Sequence, residues 1–218
     1  MILAAILAAV AGSAGTAELD GLSYDASVET SATGFFRVER RTDGVWQFVT
    51  PGGHGFYLAA NNGPSGMSGD YCPALGYAPF GRTLQEKYGT DKAGKARWAA
   101  DTRARLLSWG FNAISTWGQP ADGLVGGGLA HLCVVQMGKA FADDTPNSDS
   151  NLISNVGISG SFPNVFRPDF AAHCQRMAKE ACAVRKDDPW VIGWYTDNEI
   201  TWRGAVKNGA DDRAGTGL

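Results

Sequence analysis

Apolar and polar residues alternate along Phe35-Phe36-Arg37-Val38-Glu39-Arg40 and again along Val45-Trp46-Gln47-Phe48-Val49, with Thr42-Asp43-Gly44 between the two runs. Alternation on both sides of an Asp-Gly pair predicts a β-hairpin. Pro51-Gly52-Gly53-His54-Gly55 predicts a second turn. The apolar run Phe56-Tyr57-Leu58-Ala59-Ala60, which ends at Asn61-Asn62-Gly63, predicts a strand buried on both faces. Residues 63–81 are rich in Gly, Pro and Ser, have no period and predict a long loop. The spacing of Trp98, Leu106 and Trp109 predicts a helix over 95–109, closed by Gly110. Residues 111–117 predict a second strand, the glycine cluster 123–128 a loop, residues 131–137 a third strand and residues 143–166 another loop. A second long helix is expected from Pro168-Asp169 to about Arg185, with Phe170, Cys174, Met177, Ala178 and Ala181 on one face. Asp187-Asp188-Pro189 stops it before a fourth strand, residues 190–195.

Buried strands that alternate with helices or helix-length connections are the pattern of a parallel α/β sheet. The expected fold is the N-terminal half of a (β/α)8 barrel, about four β/α units, preceded by a short β-hairpin segment. With 218 residues the chain is shorter than a complete barrel of about 250. Only 23 polar, glycine-rich residues follow Tyr195. Four strands cannot close a barrel, and the last would present an open apolar edge, so a polypeptide truncated at its C-terminus is expected, with a small complete α/β domain as the alternative. The division that follows is a leader at 1–17, a hairpin segment at 18–54 and a partial barrel at 55–218.

The first 17 residues are apolar and end in small residues, with Gly15 and Ala17 suiting a signal-peptide cleavage site, although no Lys or Arg precedes the run. A secreted or periplasmic protein is expected, without a membrane span. A formal charge of −3 offers no basic stripe for nucleic acid. The 29 glycines and 7 tryptophans suggest a loop-rich protein with large flat side chains, which serve either as core or as sugar platforms. Cys72, Cys133, Cys174 and Cys182 show no zinc spacing, and Cys174 and Cys182 lie about 12 Å apart along one helix, too far for a disulfide. The three histidines form no metal pattern, and His54 reads as a surface turn residue. Gly89-Thr90-Asp91-Lys92-Ala93-Gly94-Lys95-Ala96 nearly matches a phosphate loop, but Ala96 replaces the magnesium-ligating hydroxyl, and the segment reads as a helix lead-in. No cofactor or metal is expected.

The candidate chemistry lies at Tyr195-Thr196-Asp197-Asn198-Glu199-Ile200-Thr201-Trp202, polar groups placed directly after an apolar strand. At the carboxyl end of a barrel strand an acid is placed for chemistry, whereas a plain alternative is that Asp197 or Asn198 caps a helix opening at Glu199. The runs from Phe35 to Phe56, then Trp109-Gly110-Phe111-Asn112, then Phe166-Arg167-Pro168-Asp169-Phe170 and Ile192 to Trp202 together resemble the agarase-like glycoside hydrolases, the β-agarases and their relatives. These belong to the clan of retaining (β/α)8 glycosidases whose fourth strand ends in Asn-Glu. The resemblance implies that Glu199 is the general acid/base, that Asn198 binds the substrate 2-hydroxyl, and that the nucleophile follows a seventh strand outside this sequence. Retaining hydrolysis needs two carboxyl groups roughly 5 Å apart, and Asp197 is unsuited because neighbouring side chains in extended backbone point to opposite faces. Asn61, Trp117 and Trp202 are candidate substrate-binding residues, the amide for hydroxyls and the indoles for stacking on a pyranose, against plainer roles in turn or core. The expected partner is a polysaccharide or oligosaccharide such as agarose. A β-galactosidase or β-glucanase of the same clan and a non-catalytic carbohydrate-binding protein are the alternatives.

Overall fold

A computed structural model describes residues 17–64, 71–115, 123–144, 150–153 and 161–200. All of the leader but Ala17 therefore lies outside the described residues, as do Trp117 and Trp202. The predicted hairpin is present as β2 (Arg37–Arg40) and β3 (Trp46–Val49), in register from Arg37 opposite Val49 to Arg40 opposite Trp46. Gly44 turns it with φ +89°, and the Asp43 carboxylate accepts the Val45 N–H at 3.1 Å.

Two further strands widen the hairpin into an antiparallel sheet of order β1-β4-β3-β2. His54, read from sequence as part of a turn, opens β4 (His54–Phe56), and β1 (Asp25–Glu29) arises from a segment that reads simply as polar. The turn before β4 requires glycine: Gly53 sits at φ +99°, and a Cβ there would stand 2.3 Å from the Thr30 carbonyl oxygen. His54 is half-buried rather than a free surface residue. Its ring stacks on Tyr24 at 4.4 Å, and its Nδ1 lies 2.9 Å from Glu18 Oε2. Burial pushes the Glu18 carboxyl up, but hydrogen bonds from Thr50 and His54 outweigh it and hold the group below its usual range.

The single strand expected at 56–60 is two pieces in different sheets. Phe56 ends β4, Tyr57 is 86% exposed, and β5 (Ala60–Asn62) begins a separate parallel sheet. That sheet continues with β6 (Ala113–Ser115), β7 (Ala130–Val134) and β10 (Val191–Tyr195), each neighbour parallel and in sequence order. Every crossover thus steps one strand in the same direction, unlike a doubly wound sheet, in which the order reverses.

Between β5 and β6 lie α1 (Pro79–Tyr88) and α2 (Lys92–Ser108). The start of α1 falls inside the expected loop, with Pro79 in its first turn. The phosphate-loop look-alike is a helix start, with the Asp91 carboxylate accepting the Gly94 N–H at 2.7 Å. Trp98 and Leu106 of α2 pack with Tyr88, Ile114, Leu124 and Leu129 on one face of the sheet. Trp109, expected on that face, is instead 65% exposed at the helix cap. The third strand ends three residues early, because Met137 opens α3 (Met137–Asp144). The loop expected at 143–166 contains a short antiparallel pair, β8 (Asn151–Ile153) with β9 (Phe162–Pro163). The second long helix is α4 (Phe170–Arg185), and the expected face, Phe170, Cys174, Met177, Ala178 and Ala181, is its half-buried stripe. All four cysteines are free. No helix among the described residues is long and apolar enough to cross a membrane.

One core joins the two sheets: Leu22, Phe36 and Phe56 pack with Ala113, Ala130, Leu132 and Ile192. Buried Asn112 fastens the joint. Its Oδ1 accepts the Ala59 N–H at 2.9 Å, its Nδ2 donates to the Tyr57 carbonyl at 2.8 Å and to Ser23 Oγ at 3.2 Å, and its backbone N–H donates to the Ala59 carbonyl at 3.0 Å. Asn112→Ala removes the three side-chain bonds and leaves the part-buried Ala59 N–H and Tyr57 carbonyl without this partner, a loss of about 1–3 kcal/mol expected in denaturant unfolding. Asn112→Asp keeps the acceptor, lacks the donors, and is expected to be destabilised as well; wild-type stability in either variant would refute the assignment.

At the amino ends of the strands, fully buried His131 places Nε2 3.1 Å from the Asp188 carboxylate, which also receives Arg185 at 3.0 Å. Burial lowers the His131 pKa, the hydrogen bond to Asp188 opposes that shift only in part, and Arg185 adds to it. The unfolded chain therefore takes up this proton first. The stability that neutral His131 contributes is complete above about pH 6.5 and is lost as pH falls through the folded-state value. Asp188 is itself pushed up by burial but held below its usual range by the Trp190 N–H, His131 and Arg185, so its contribution is lost only below about pH 4. Unfolding free energy measured between pH 7 and 5 should fall in the wild type and run flatter in His131→Gln.

Candidate active site

Register and alternation decide which side chains meet at the carboxyl ends of the parallel strands. Asn62 pairs with Ser115, Ser115 with Leu132, and Val134 with Tyr195. These residues, with Leu58, Ala60 and Asn198, line a cavity of about 360 Å³. Leu58 and Leu132 also belong to the core beneath, so the N-terminal sheet covers the amino end of this face and leaves the carboxyl end open. Ala60 and Ser115 are small enough to leave the space, and Asn62, Ser115, Tyr195 and Asn198 supply its polar groups.

Asn198 is among the lining residues. Asn61 is not: it sits one position off in the alternation, opposite Ile114 of the helix-packed face, and its neighbour Asn62 lines the cavity instead. The signal for Asn62 was present in the period-two spacing from Ala60, but choosing between the two amides requires the register with β6.

Glu199 follows directly, exposed and with φ +48°. Its carboxylate has no partner among the described residues. A left-handed conformation is unfavourable for a residue with a Cβ, and such outliers concentrate where function holds them. The other non-glycine residue with positive φ among those described is Gln136 (φ +56°), just beyond the end of the adjacent strand β7. The apolar run 131–137 predicts a regular strand through Gln136, and the sequence carries no signal for its left-handed backbone.

Asp197 is a helix cap, but not of a helix opening at Glu199. Its Oδ2 accepts the Gly138 N–H at 3.0 Å and its Oδ1 the Lys139 N–H at 2.9 Å, both in the first turn of α3. Backbone bonds from Val135 N–H to the Tyr195 carbonyl (2.9 Å) and from Met137 N–H to the Thr196 carbonyl (2.8 Å) run alongside. No carboxylate lines the cavity among the described residues. Nor do three His, Cys, Asp or Glu side chains among them gather as a metal site would require. The residue that follows cavity-lining Asn198 thus carries a carboxyl group with no partner among the described residues, and a carboxyl group can give or take a proton only within hydrogen-bond distance of the reacting atom.

No family model matches the sequence. The chain is 32% identical to β-agarase B of Vibrio sp. (strain JT0107) over 61% of its length and 13% of that protein's. It is 25% identical to β-agarase A of the same strain over 77% of this chain and 20% of that one. It thus spans a fifth or less of the curated relatives it matches. Among solved structures, a crystallised agarase superposes with TM-score 0.60 at 22% identity, covering 85% of this chain and 33% of that one. An exo-β-agarase does so with TM-score 0.61 at 17% identity, covering 89% and 35%. By sequence the chain is agarase-like, and the fold it shares with these structures is a partial one.

The strain at Glu199 can be measured directly. Glycine adopts the left-handed region freely, which relieves about 1–2 kcal/mol, while the added freedom of the unfolded chain returns roughly 0.5–1 kcal/mol. Glu199→Gly should leave unfolding free energy unchanged or raise it by up to about 1 kcal/mol. A measurable loss of unfolding free energy would mean side-chain contacts, not strain, dominate at this residue.

Proposed function

We propose that this chain is the acid/base-bearing part of a retaining glycoside hydrolase acting on a β-linked galactan such as agarose. The observation that carries the reading is the position of Asn198-Glu199, directly after the fourth of four parallel strands laid down in sequence order, in a chain similar to β-agarases. Parallel strands that step in one direction are the geometry of an arc of a (β/α)8 barrel, whose chemistry sits at the carboxyl ends of the strands. The reading takes residues 55–218 as the first half of that barrel, and the short leader as an export signal to the periplasm or exterior, where a polymeric substrate is met.

In this mechanism Glu199, protonated, donates to the glycosidic oxygen as the bond to the anomeric carbon breaks, and then as carboxylate takes a proton from the water that releases the sugar. Asn198, lining the cavity, would hold a ring hydroxyl, and Asn62 and Tyr195 offer further hydrogen bonds. The nucleophile must stand about 5 Å from Glu199. Asp197 is committed to two backbone N–H groups, so the reading assigns the nucleophile to a later strand of the same barrel.

A carbohydrate-binding role without catalysis is favoured by one feature, a groove of about 560 Å³ on the N-terminal sheet beside the exposed rings of Trp46 and Tyr57. The two readings separate in the full-length protein. Glu199→Gln should lower turnover of agarose oligomers by about 10²–10⁴-fold and leave oligomer binding in place. Turnover retained in that variant would remove Glu199 from the mechanism, and affinity without turnover, lost on Trp46→Ala, would establish the binding role.

A further inference from the structure

Resting on the glycosidase reading, we propose that Asp197 is a positioning residue for the acid/base group: by gripping the amino end of α3 it sets the backbone that carries Asn198 into the cavity and Glu199 in its left-handed conformation. Both oxygens are used, one on Gly138 N–H and one on Lys139 N–H, so the carboxylate is fixed in orientation as well as position. The charge is complementary to a helix amino end. Gly138 is shaped to this contact, since a Cβ there would meet Asp197 Oδ2 and Pro163 Cγ at 3.0 Å each.

The anchor is itself packed against α4. Phe141 of α3 is buried and meets the rings of Phe170 and His173 edge-on at 5.1 and 5.2 Å. His173 Nε2 lies 3.1 Å from the Met137 carbonyl at the start of α3. A continuous path of contacts therefore runs from α4 through α3 to Asp197, and from there along two peptide bonds to Glu199. With the flanking backbone bonds to Val135 and Met137, residues 195–197 are held against residues 135–139 by four hydrogen bonds. A proton donor displaced by an ångström loses much of its effect, because transfer requires hydrogen-bond distance to the leaving oxygen.

The test uses the full-length protein and two substrates of the same sugar: an agarose oligomer, whose alkoxide leaving group needs a proton, and its 2,4-dinitrophenyl glycoside, whose leaving group does not. Both are cleaved by the same folded fraction, so partial unfolding lowers kcat/KM on the two equally. For Asp197→Ala the expected result is a loss of about 10–100-fold on the oligomer and less than about threefold on the aryl glycoside, with Asp197→Asn, which keeps one acceptor, in between. Equal losses on both substrates would make Asp197 merely structural, and no loss on either would remove it altogether. Glu199→Gln serves as the reference: if it fails to show the same dependence on leaving group, the acid/base assignment falls first, whatever Asp197 does.

Discussion

The amide of Asn112 is the contact on which the arrangement depends. The chain leaves an antiparallel sheet at Phe56 and enters a parallel one at Ala60, and the three residues between them belong to neither ladder. A crossing of that kind leaves backbone groups outside either ladder at the joint of two sheets, where unpaired N–H and C=O groups are costly. Asn112 supplies both a donor and an acceptor there, and it directly precedes β6 in the chain. One side chain thereby fixes where the parallel sheet begins relative to the N-terminal sheet, and so which residues, Asn62 and Ser115, reach the open end of the strands.

The consequences run along the sheet. Because its strands are parallel and sequential, all four end on the same side, and the turn after each can contribute to one cavity. The two non-glycine residues with positive φ among those described both lie there, Gln136 beyond β7 and Glu199 beyond β10. Local strain at two neighbouring strand ends persists only if surrounding contacts over-determine the backbone. The carboxylate–helix contact between β10 and α3 is one such contact, and it is made by the residue that immediately precedes Asn198-Glu199.

Much of this was legible in the sequence where the signal is local. The hairpin follows from alternation around Asp43-Gly44, and α2 and α4 from helical spacing with clear stops. The elements that escaped are those decided by distant partners. An apolar run from Phe56 to Ala60 looks the same whether it is one strand or the junction of two. β1 is a mostly exposed edge strand, and its polar composition carries no period. Met137 is as apolar as the strand before it, yet opens a helix because Asp197, 60 positions later, accepts the N–H groups of its first turn. The choice between Asn61 and Asn62 is of the same sort, since neighbouring amides in a strand differ only by the face that cross-strand register assigns them. The motif Asn198-Glu199 was conspicuous as polar residues after an apolar strand, but the part Asp197 plays beside it was not: it reads as a cap for the next helix and is a cap for an earlier one.

The two ends of the parallel sheet are built to opposite specifications. At the amino ends, buried His131 and the half-buried Asp188 and Arg185 satisfy one another in one cluster, with Asp188 also accepting the Trp190 N–H at 3.0 Å. At the carboxyl ends, Glu199 is exposed, strained and without a partner among the described residues. A carboxyl group engaged by fixed ionic partners is a poor proton donor, because its ionised form is the stabilised one. A carboxyl group that must be protonated in one step and ionised in the next has to be held by its backbone rather than by its charge. At the cavity-facing end the charge-assisted contact, to two backbone N–H groups of α3, falls on Asp197, while Glu199 has no partner among the described residues, which is the division of labour that the proposed acid/base role requires.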